Sequence, residues 1–358
     1  MTRPARVRIN LPALQHNFNR VNQSAPASRV MAIIKANAYG HGLTRIAQAL
    51  PRADAFGVAC VSEAITLREA GFDRRIVLLE GPFAADELRL ISGYHLDVVL
   101  HHREQLAMLE GVNLRRPLDV WLKLDTGMHR LGFEPSTVPE ILARLDNIDY
   151  LGERRLMSHL ACADAPDDDY TTNQVELFRN TVESLAGECS LANSAAVLAW
   201  PAAHFDWVRP GILLYGASPL LDTTAAALDL QPVMTLETAL IAVNTHQKGA
   251  RVGYGGDWVC PETMPVGIAA IGYGDGYPRH APAGMPLLVN GKRAPLIGRV
   301  SMDMICVDLR GHPEAAIGDS VTLWGEGLPV DEVAASAGTI AYELLCRINS
   351  RVQFDYFE

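Results

Sequence analysis

Eight times in its first two thirds the chain repeats one pattern. A short β-branched run is followed by a polar turn and then by a segment with apolar residues at helical spacing. The runs are RVMAIIK (29–35), AFGVAC (55–60), RIVLLE (75–80), LDVVLH (96–101), DVWLKLD (119–125), RRLMSHL (154–160), ECSLANS (188–194) and FDWVR (205–209). Segments such as SEAITLREAG and NQVELFRNTVESLAG lie between them. Strands separated by helix-length connections pair in parallel, and eight such units predict a closed (β/α)8 barrel of the TIM type. An open doubly wound sheet is the alternative, because local periodicity does not report closure.

After about residue 230 the pattern changes to long alternating stretches, such as VMTLETALIAVNTHQ and MPVGIAAIGYGDGY. Asn290-Gly291, between LLV and KRAPLIGRV, is a strong hairpin signal. GDSVTLWGEG and SRVQFDYF read as further strands, and two short helices are predicted near 330–346. The expected organisation is an α/β barrel over 9–230 and a β-strand-rich C-terminal domain over 231–358.

The 358 residues carry a formal net charge of −10, which disfavours a phosphate backbone as partner, so no nucleic-acid binding is expected. No apolar run is long enough to span a bilayer, and MTRPARVRIN has no apolar segment after its charges to make a secretory signal. The six cysteines are scattered with no CxxC pair, a pattern suited to a reducing cytoplasm and to neither a zinc site nor a disulfide framework. No metal is expected. The run Asp167-Asp168-Asp169 reads as a solvated loop rather than a metal site.

Barrel enzymes build their sites at the C-terminal ends of the strands, so the polar residues there are the candidates. Lys35 follows four apolar residues at the end of the first run. Poor solvation would lower its pKa and suit it to Schiff-base chemistry. The same residue could equally snorkel to the barrel rim. Lys123 lies in the fifth run, with Asp125, His129 and Arg130 just beyond it. Arg130 could clamp a carboxylate, whereas Lys123 by itself reads as half of a structural ion pair. His159 ends the sixth run, as a packing residue or against a cofactor. Asn193 and Ser194 end run seven and Gly211 follows run eight, where barrels commonly hold phosphate. In the C-terminal region Tyr254 and Tyr273 are flanked by glycines that suggest tight turns, and Met302 and Asp303 lie in a strand-like run in which Met302 reads as core. No dinucleotide fingerprint, Walker loop or HExxH occurs. A Schiff-base lysine, a phosphate cradle and a carboxylate clamp at one mouth suggest pyridoxal phosphate and an amino-acid substrate.

AIIKANAYGHG, KLDTGMHRLGF, SHLACAD, NSA, VRPGILLYG, VGYGGDW, IGYGDGYPR, GRVSMDMICVD and AYELLCRI resemble blocks of the alanine racemases, in the same order and over nearly the whole chain. The resemblance implies pyridoxal 5'-phosphate as cofactor, L- and D-alanine as substrates, and a homodimer whose active sites are shared between subunits. Lys35 would carry the cofactor as an aldimine and act as base on the D-face. Tyr254 of the other subunit would act on the opposite face. Tyr39, Asn193, Ser194, Gly211, Ile212 and Tyr342 would hold the cofactor, mostly at its phosphate. Arg209 would meet the pyridine nitrogen and His159 the ring. Arg130 and the Met302 backbone N–H would bind the substrate carboxylate. Lys123 stands where the family often carries a carbamylated lysine that orients the arginine. Tyr273 and Asp303 would support the entryway, and the strand in residues 1–8 would join the β-rich domain. Leu160 stands where an aromatic residue is common and Ser301 where small residues vary; neither removes a catalytic group.

Two-base inversion needs groups on opposite faces of Cα. A tyrosine with an ordinary pKa of about 10 needs a positive neighbour to serve as one of them. Arg209 would leave the pyridine nitrogen unprotonated, which argues against a barrel-class decarboxylase with a carboxylate at that place. A second domain with Tyr254 argues against a lone-barrel cofactor carrier. A racemase of broader specificity remains the alternative.

Overall fold

The structure, a computed structural model, describes residues 3–167 and 169–358. Asp168, in the acidic run, lies outside the described residues.

Strand β1 (Arg6–Asn10) precedes the barrel and leads into the helix Leu11–Ser24. The Asn10 side chain accepts from Ala13 N at 3.0 Å, capping that helix, and Pro12 sits in its first turn, where no backbone donor is missed. The next eight strands are β2 (Arg29–Ile33), β3 (Ala55–Val58), β4 (Arg75–Leu78), β5 (Asp97–Leu100), β6 (Leu118–Lys123), β7 (Leu151–Met157), β8 (Cys189–Ser190) and β9 (Trp207–Val208). They pair in parallel and in order, and β2 closes on β9 through Arg29 opposite Trp207. The closed barrel is therefore the observed architecture, and the open sheet is excluded. The eighth unit ends in the 3-10 turn Ile212–Tyr215 instead of a helix. The helix Leu11–Ser24 packs against that turn and against the helices Leu43–Ala49 and Ser194–Ala199, filling the gap in the outer ring.

The β-rich domain contains β10 (Met234–His246), the ribbon β11 (Arg251–Val252) and β12 (Trp258–Val259), β13 (Met264–Ala269), β14 (Pro286–Val289), β15 (Lys292–Ile297), β16 (Ile305–Asp308), β17 (Ser320–Trp324) and β18 (Gln353–Phe357). Its main sheet runs β13-β16-β15-β14-β17-β10-β1-β18 and closes on itself through β10 and β13. The long strand β10 makes both contacts because it changes register between Leu236 and Glu237 and again between Leu240 and Ala242. Asn290 and Gly291 form the expected two-residue turn, with φ of 48° and 76° and Val289 paired to Lys292. The helices Val330–Ser336 and Ala341–Cys346 also form where expected.

One apolar core runs through both domains, from Leu14 and Phe56 to Leu240 and Trp324. A smaller cluster of Val252, Cys260, Met264, Val266 and Ile297 underlies the β11–β12 ribbon.

Candidate active site

The barrel strands stop earlier than the apolar runs suggested, and the residues beyond them are the ones that line the mouth. Strand β2 ends at Ile33, so Lys35 stands two residues past it, half-buried, at the start of a tight turn. Residues 36–39 all have positive φ, between 52° and 54°. A left-handed conformation costs a non-glycine residue roughly 1–2 kcal/mol, so four in a row need strong support from outside the turn. The turn sends the chain abruptly away from the strand and puts Tyr39 back against the barrel. There its ring stacks on Tyr215 at 4.8 Å and tilts against Tyr342 at 5.9 Å.

Strand β6 ends on Lys123, which is buried. Among the described residues it has no ion-pair partner, so the sequence expectation of a structural ion pair is not met. Burial, and then Arg209, Arg130 and Lys35 beside it, push its ammonium down to about 8, with Asp125 acting the other way. Asp125 instead accepts the backbone N–H groups of Gly127 and His129, both at 3.0 Å, and pairs with the His129 ring at 3.3 Å. Arg130 is exposed at the rim.

Arg209 is buried just past β9. It donates to Ser190 Oγ at 2.6 Å, to the Ser158 carbonyl at 2.5 Å and to His159 Nδ1 at 3.3 Å. These partners are neutral. Burial lowers the guanidinium to about 10, which leaves it charged at neutral pH. Burial, and then Arg209, Lys123, Arg130 and Lys35, hold the His159 imidazole well below its usual range, so it is neutral and its Nδ1 accepts from Arg209.

After β8, the Asn193 side chain accepts from Ala196 N at 3.0 Å and caps the helix Ser194–Ala199. The buried Ser194 hydroxyl oxygen accepts from Gly211 N at 2.7 Å and Leu213 N at 3.4 Å, which leaves its proton free to donate outward. A Cβ on Gly211 would stand 2.5 Å from the Tyr39 hydroxyl, so only glycine allows this approach. Burial, and then Tyr342 and Cys346 nearby, raise the Tyr39 hydroxyl, which therefore stays a donor.

The mouth thus gathers Lys35, Lys123, Arg130 and Arg209, with no carboxylate paired to any of them among the described residues. Of these, Lys123 and Arg209 are buried, and buried cations without counterions are costly, so this site is built for anions. A phosphate and a carboxylate fit it: the Tyr39 and Ser194 hydroxyls and the space at Gly211 on one side, Arg130 on the other.

The C-terminal candidates form a second group. Tyr254 begins the 3-10 turn Tyr254–Gly256 at the tip of the β11–β12 ribbon and is 68% exposed. Arg299 packs on this turn beside Gly255 and pairs with Asp257. Tyr273 begins the turn Tyr273–Asp275. Its N–H donates to the Ser301 carbonyl at 3.1 Å, and Gly274 N donates to the Met302 carbonyl at 2.9 Å. Met302 and Asp303 are not core strand, as their run suggested. They lie in the loop between β15 and β16, and Met302 is 52% exposed. Asp303 pairs with Arg351 at 2.6 Å and Arg3 at 3.2 Å. Among the described residues, no hydrogen bond, ion pair or ring contact joins Tyr254, Tyr273, Met302 or Asp303 to Lys35, Lys123, Arg130, His159 or Arg209. Tyr342 is the exception on the β-rich side, since the helix Ala341–Cys346 leans over the mouth.

Sequence reasoning missed Ser158, Ser190 and Tyr215, which anchor Arg209 and Tyr39. Ser158 stood next to His159 at a strand end and was legible there. Tyr215 lay inside an apolar turn and carried no signal.

A closed barrel with an anion-binding mouth, a lysine at its centre and a β-rich domain leaning over it defines a two-domain barrel enzyme. The family model described as "Alanine racemase, N-terminal domain" matches residues 9–219, and "Alanine racemase, C-terminal domain" matches residues 233–356. The chain is 50% identical over 356 residues to the biosynthetic alanine racemase of Escherichia coli, covering 99% of each chain. It is 53% identical over 348 residues to the alanine racemase of Nitrosococcus oceani, covering 96% of this chain and 97% of the other. The crystal structure of biosynthetic alanine racemase from Pseudomonas aeruginosa superimposes with a TM-score of 0.97 at 47% identity, covering 100% of both chains. The chain belongs to the alanine racemase family.

Proposed function

We propose that the protein interconverts L- and D-alanine with pyridoxal 5'-phosphate held at the barrel mouth, and that a homodimer shares its sites between subunits. The observation that carries this reading is the gathering of Lys123, Arg130 and Arg209 around Lys35 with no paired carboxylate among the described residues. The names of the similar proteins favour a biosynthetic role, supplying D-alanine for the cell wall. Six scattered cysteines with no CxxC pair suit a cytoplasmic setting.

When bound, the cofactor supplies a conjugated ring that takes up the electron pair left at Cα. The residues of the chain do the rest. Lys35 holds the cofactor covalently, while Tyr39, Ser194, Tyr342 and the Ile212 N–H hold the phosphate. Gly211 leaves room for it, and Asn193 fixes the helix that carries Ser194. Arg209, which keeps its own proton, would donate to the cofactor's ring nitrogen and leave that nitrogen unprotonated. His159, neutral, lies against the ring. Arg130 and the Met302 N–H bind the substrate carboxylate. Lys123, forced toward the neutral amine, is suited to carbamylation, and the resulting anion would pair with Arg130. Lys35 and Tyr254 move protons at Cα from opposite faces. The exposure of Tyr254 in its own chain, with no hydrogen bond to its own Lys35 among the described residues, favours a second base drawn from the partner, with Tyr273 and Asp303 supporting it.

Incubating the protein with L-alanine and following D-alanine formation tests the reaction, with L-serine alongside for breadth. Lys35→Ala and Tyr254→Phe test the shared site. Each should be nearly inactive alone, and verified mixed dimers should recover up to about half of the wild-type activity. Mixed dimers without recovery would remove the partner's base from the mechanism.

A further inference from the structure

Residues 36–39 are left-handed without a glycine among them, so something outside the turn must hold them there. His41 does so at the exit. It is fully buried, and its Nδ1 lies 2.8 Å from the Tyr39 carbonyl and 3.1 Å from the Ala38 carbonyl. Carbonyls only accept, so Nδ1 carries the proton and donates to both. The Nε2 atom is buried with no partner among the described residues, so the ring spends its whole hydrogen-bonding capacity on this turn. Glu63 holds the entrance. One carboxylate oxygen accepts from Asn37 N at 3.1 Å and the other from Ala59 N at 3.0 Å, which ties the turn to the end of β3. The Asn37 side chain accepts from Leu43 N at 2.8 Å, and the Tyr356 hydroxyl donates to the His41 carbonyl at 3.0 Å. Among the described residues none of these side chains is hydrogen-bonded or ion-paired to a cation of the mouth, yet together they hold the turn that joins Lys35 to Tyr39.

We propose that His41 and Glu63 are positioning residues that hold the left-handed turn and so fix the Lys35 amine against the Tyr39 hydroxyl. This rests on the reading of Lys35 and Tyr39 as the cofactor's covalent and phosphate anchors.

The competing role for His41 is packing, since its ring lies 4.5 Å from that of Tyr215. Two substitutions separate the roles. His41→Phe keeps the ring and removes the Nδ1 donor; His41→Asn keeps a donor near Nδ1 and removes the ring. The readouts on the purified full-length holoenzyme are the visible circular dichroism of the Lys35-bound cofactor and the affinity for pyridoxal 5'-phosphate. The expected result is a diminished band and roughly tenfold or greater loss of cofactor affinity in His41→Phe, with His41→Asn close to wild type. A normal band and affinity in His41→Phe, or a loss in His41→Asn as large as in His41→Phe, would overturn the proposal. If His41→Phe does not fold, Glu63→Ala on the helix surface carries the same test, and a wild-type band there overturns it. Borohydride trapping separates the two levels of inference. A wild-type protein that fixes no cofactor on Lys35 removes the functional reading and the clamp with it. One that does, beside an indifferent His41→Phe, removes the clamp alone.

Discussion

The two ends of the barrel are both rich in buried charge, and they handle it in opposite ways. At the end where the strands begin, each cation meets carboxylates. Arg75 donates to Asp97 and, at 3.0 Å, to Asp119. Arg155, only 5% exposed, pairs with Glu188 at 2.9 Å and with Glu153, and Arg29 also pairs with Glu188. Two tryptophans close the network, Trp121 on Asp97 and Trp207 on Glu188, both at 2.9 Å. Burial still raises the Asp97 carboxyl, outweighing Arg75. At the opposite end Lys35, Lys123, Arg130 and Arg209 crowd together without one paired carboxylate among the described residues. The paired end is a plug that serves the fold. The unpaired end is an incomplete electrostatic structure, which the anionic groups proposed for it would complete. Charge alone did not distinguish them; the presence of counterions did.

The contrast breaks if chemistry and stability do not separate along the barrel axis. Lys35→Ala should lower racemisation by a factor of about a thousand or more while leaving the thermal midpoint unchanged or higher, because it removes one of the crowded cations. Activity assays beside calorimetry check this, and retained turnover would sink the assignment of the mouth. Arg155→Leu should do the reverse. It takes the buried cation away from Glu188 and Glu153, which are partly exposed, and should cost about 1–3 kcal/mol in denaturant unfolding. Its kcat should stay near wild type; a variant with normal stability and damaged turnover would erase the distinction between the ends.

Lys123 sharpens the comparison through pH. Its folded-state pKa of about 8 lies below the ordinary 10.5, so between those values the unfolded chain binds more protons. Stability should therefore rise with pH across that window, by up to about 3 kcal/mol in carbonate-free buffer. Lys123→Met should flatten the rise. In bicarbonate, carbamylation should also flatten it, because the group is then an anion paired with arginine. A slope indifferent to both changes would show that Lys123 does not bear the strain of the unpaired mouth.

The particular residues divide by the range of the forces that act on them. The alternation of short β-branched runs with helical segments, the change to long alternating strands near residue 230, and the Asn290-Gly291 hairpin were legible in the sequence, because side-chain period and turn conformation act within a few residues. So was the identity of the mouth residues, since polar groups just past a buried strand announce themselves and nine ordered blocks named the family. Tertiary structure decided the rest. Closure of β2 on β9 joins residues about 180 positions apart, which no local period encodes. The left-handed path of residues 36–39 is locally unfavourable for Ala, Asn and Tyr, and it persists because His41 just past it and Glu63 on the helix Val61–Glu69 hold it, with Tyr356 of β18 bonded to the His41 carbonyl. Met302 read as core from its apolar neighbours and proved exposed, because the strand on either side ends before it. The same limit applied to Lys123, which was expected to find a carboxylate. Whether a lysine at a strand end is paired depends on which side chains the other seven strands deliver to the same mouth, and that is settled only when the barrel closes.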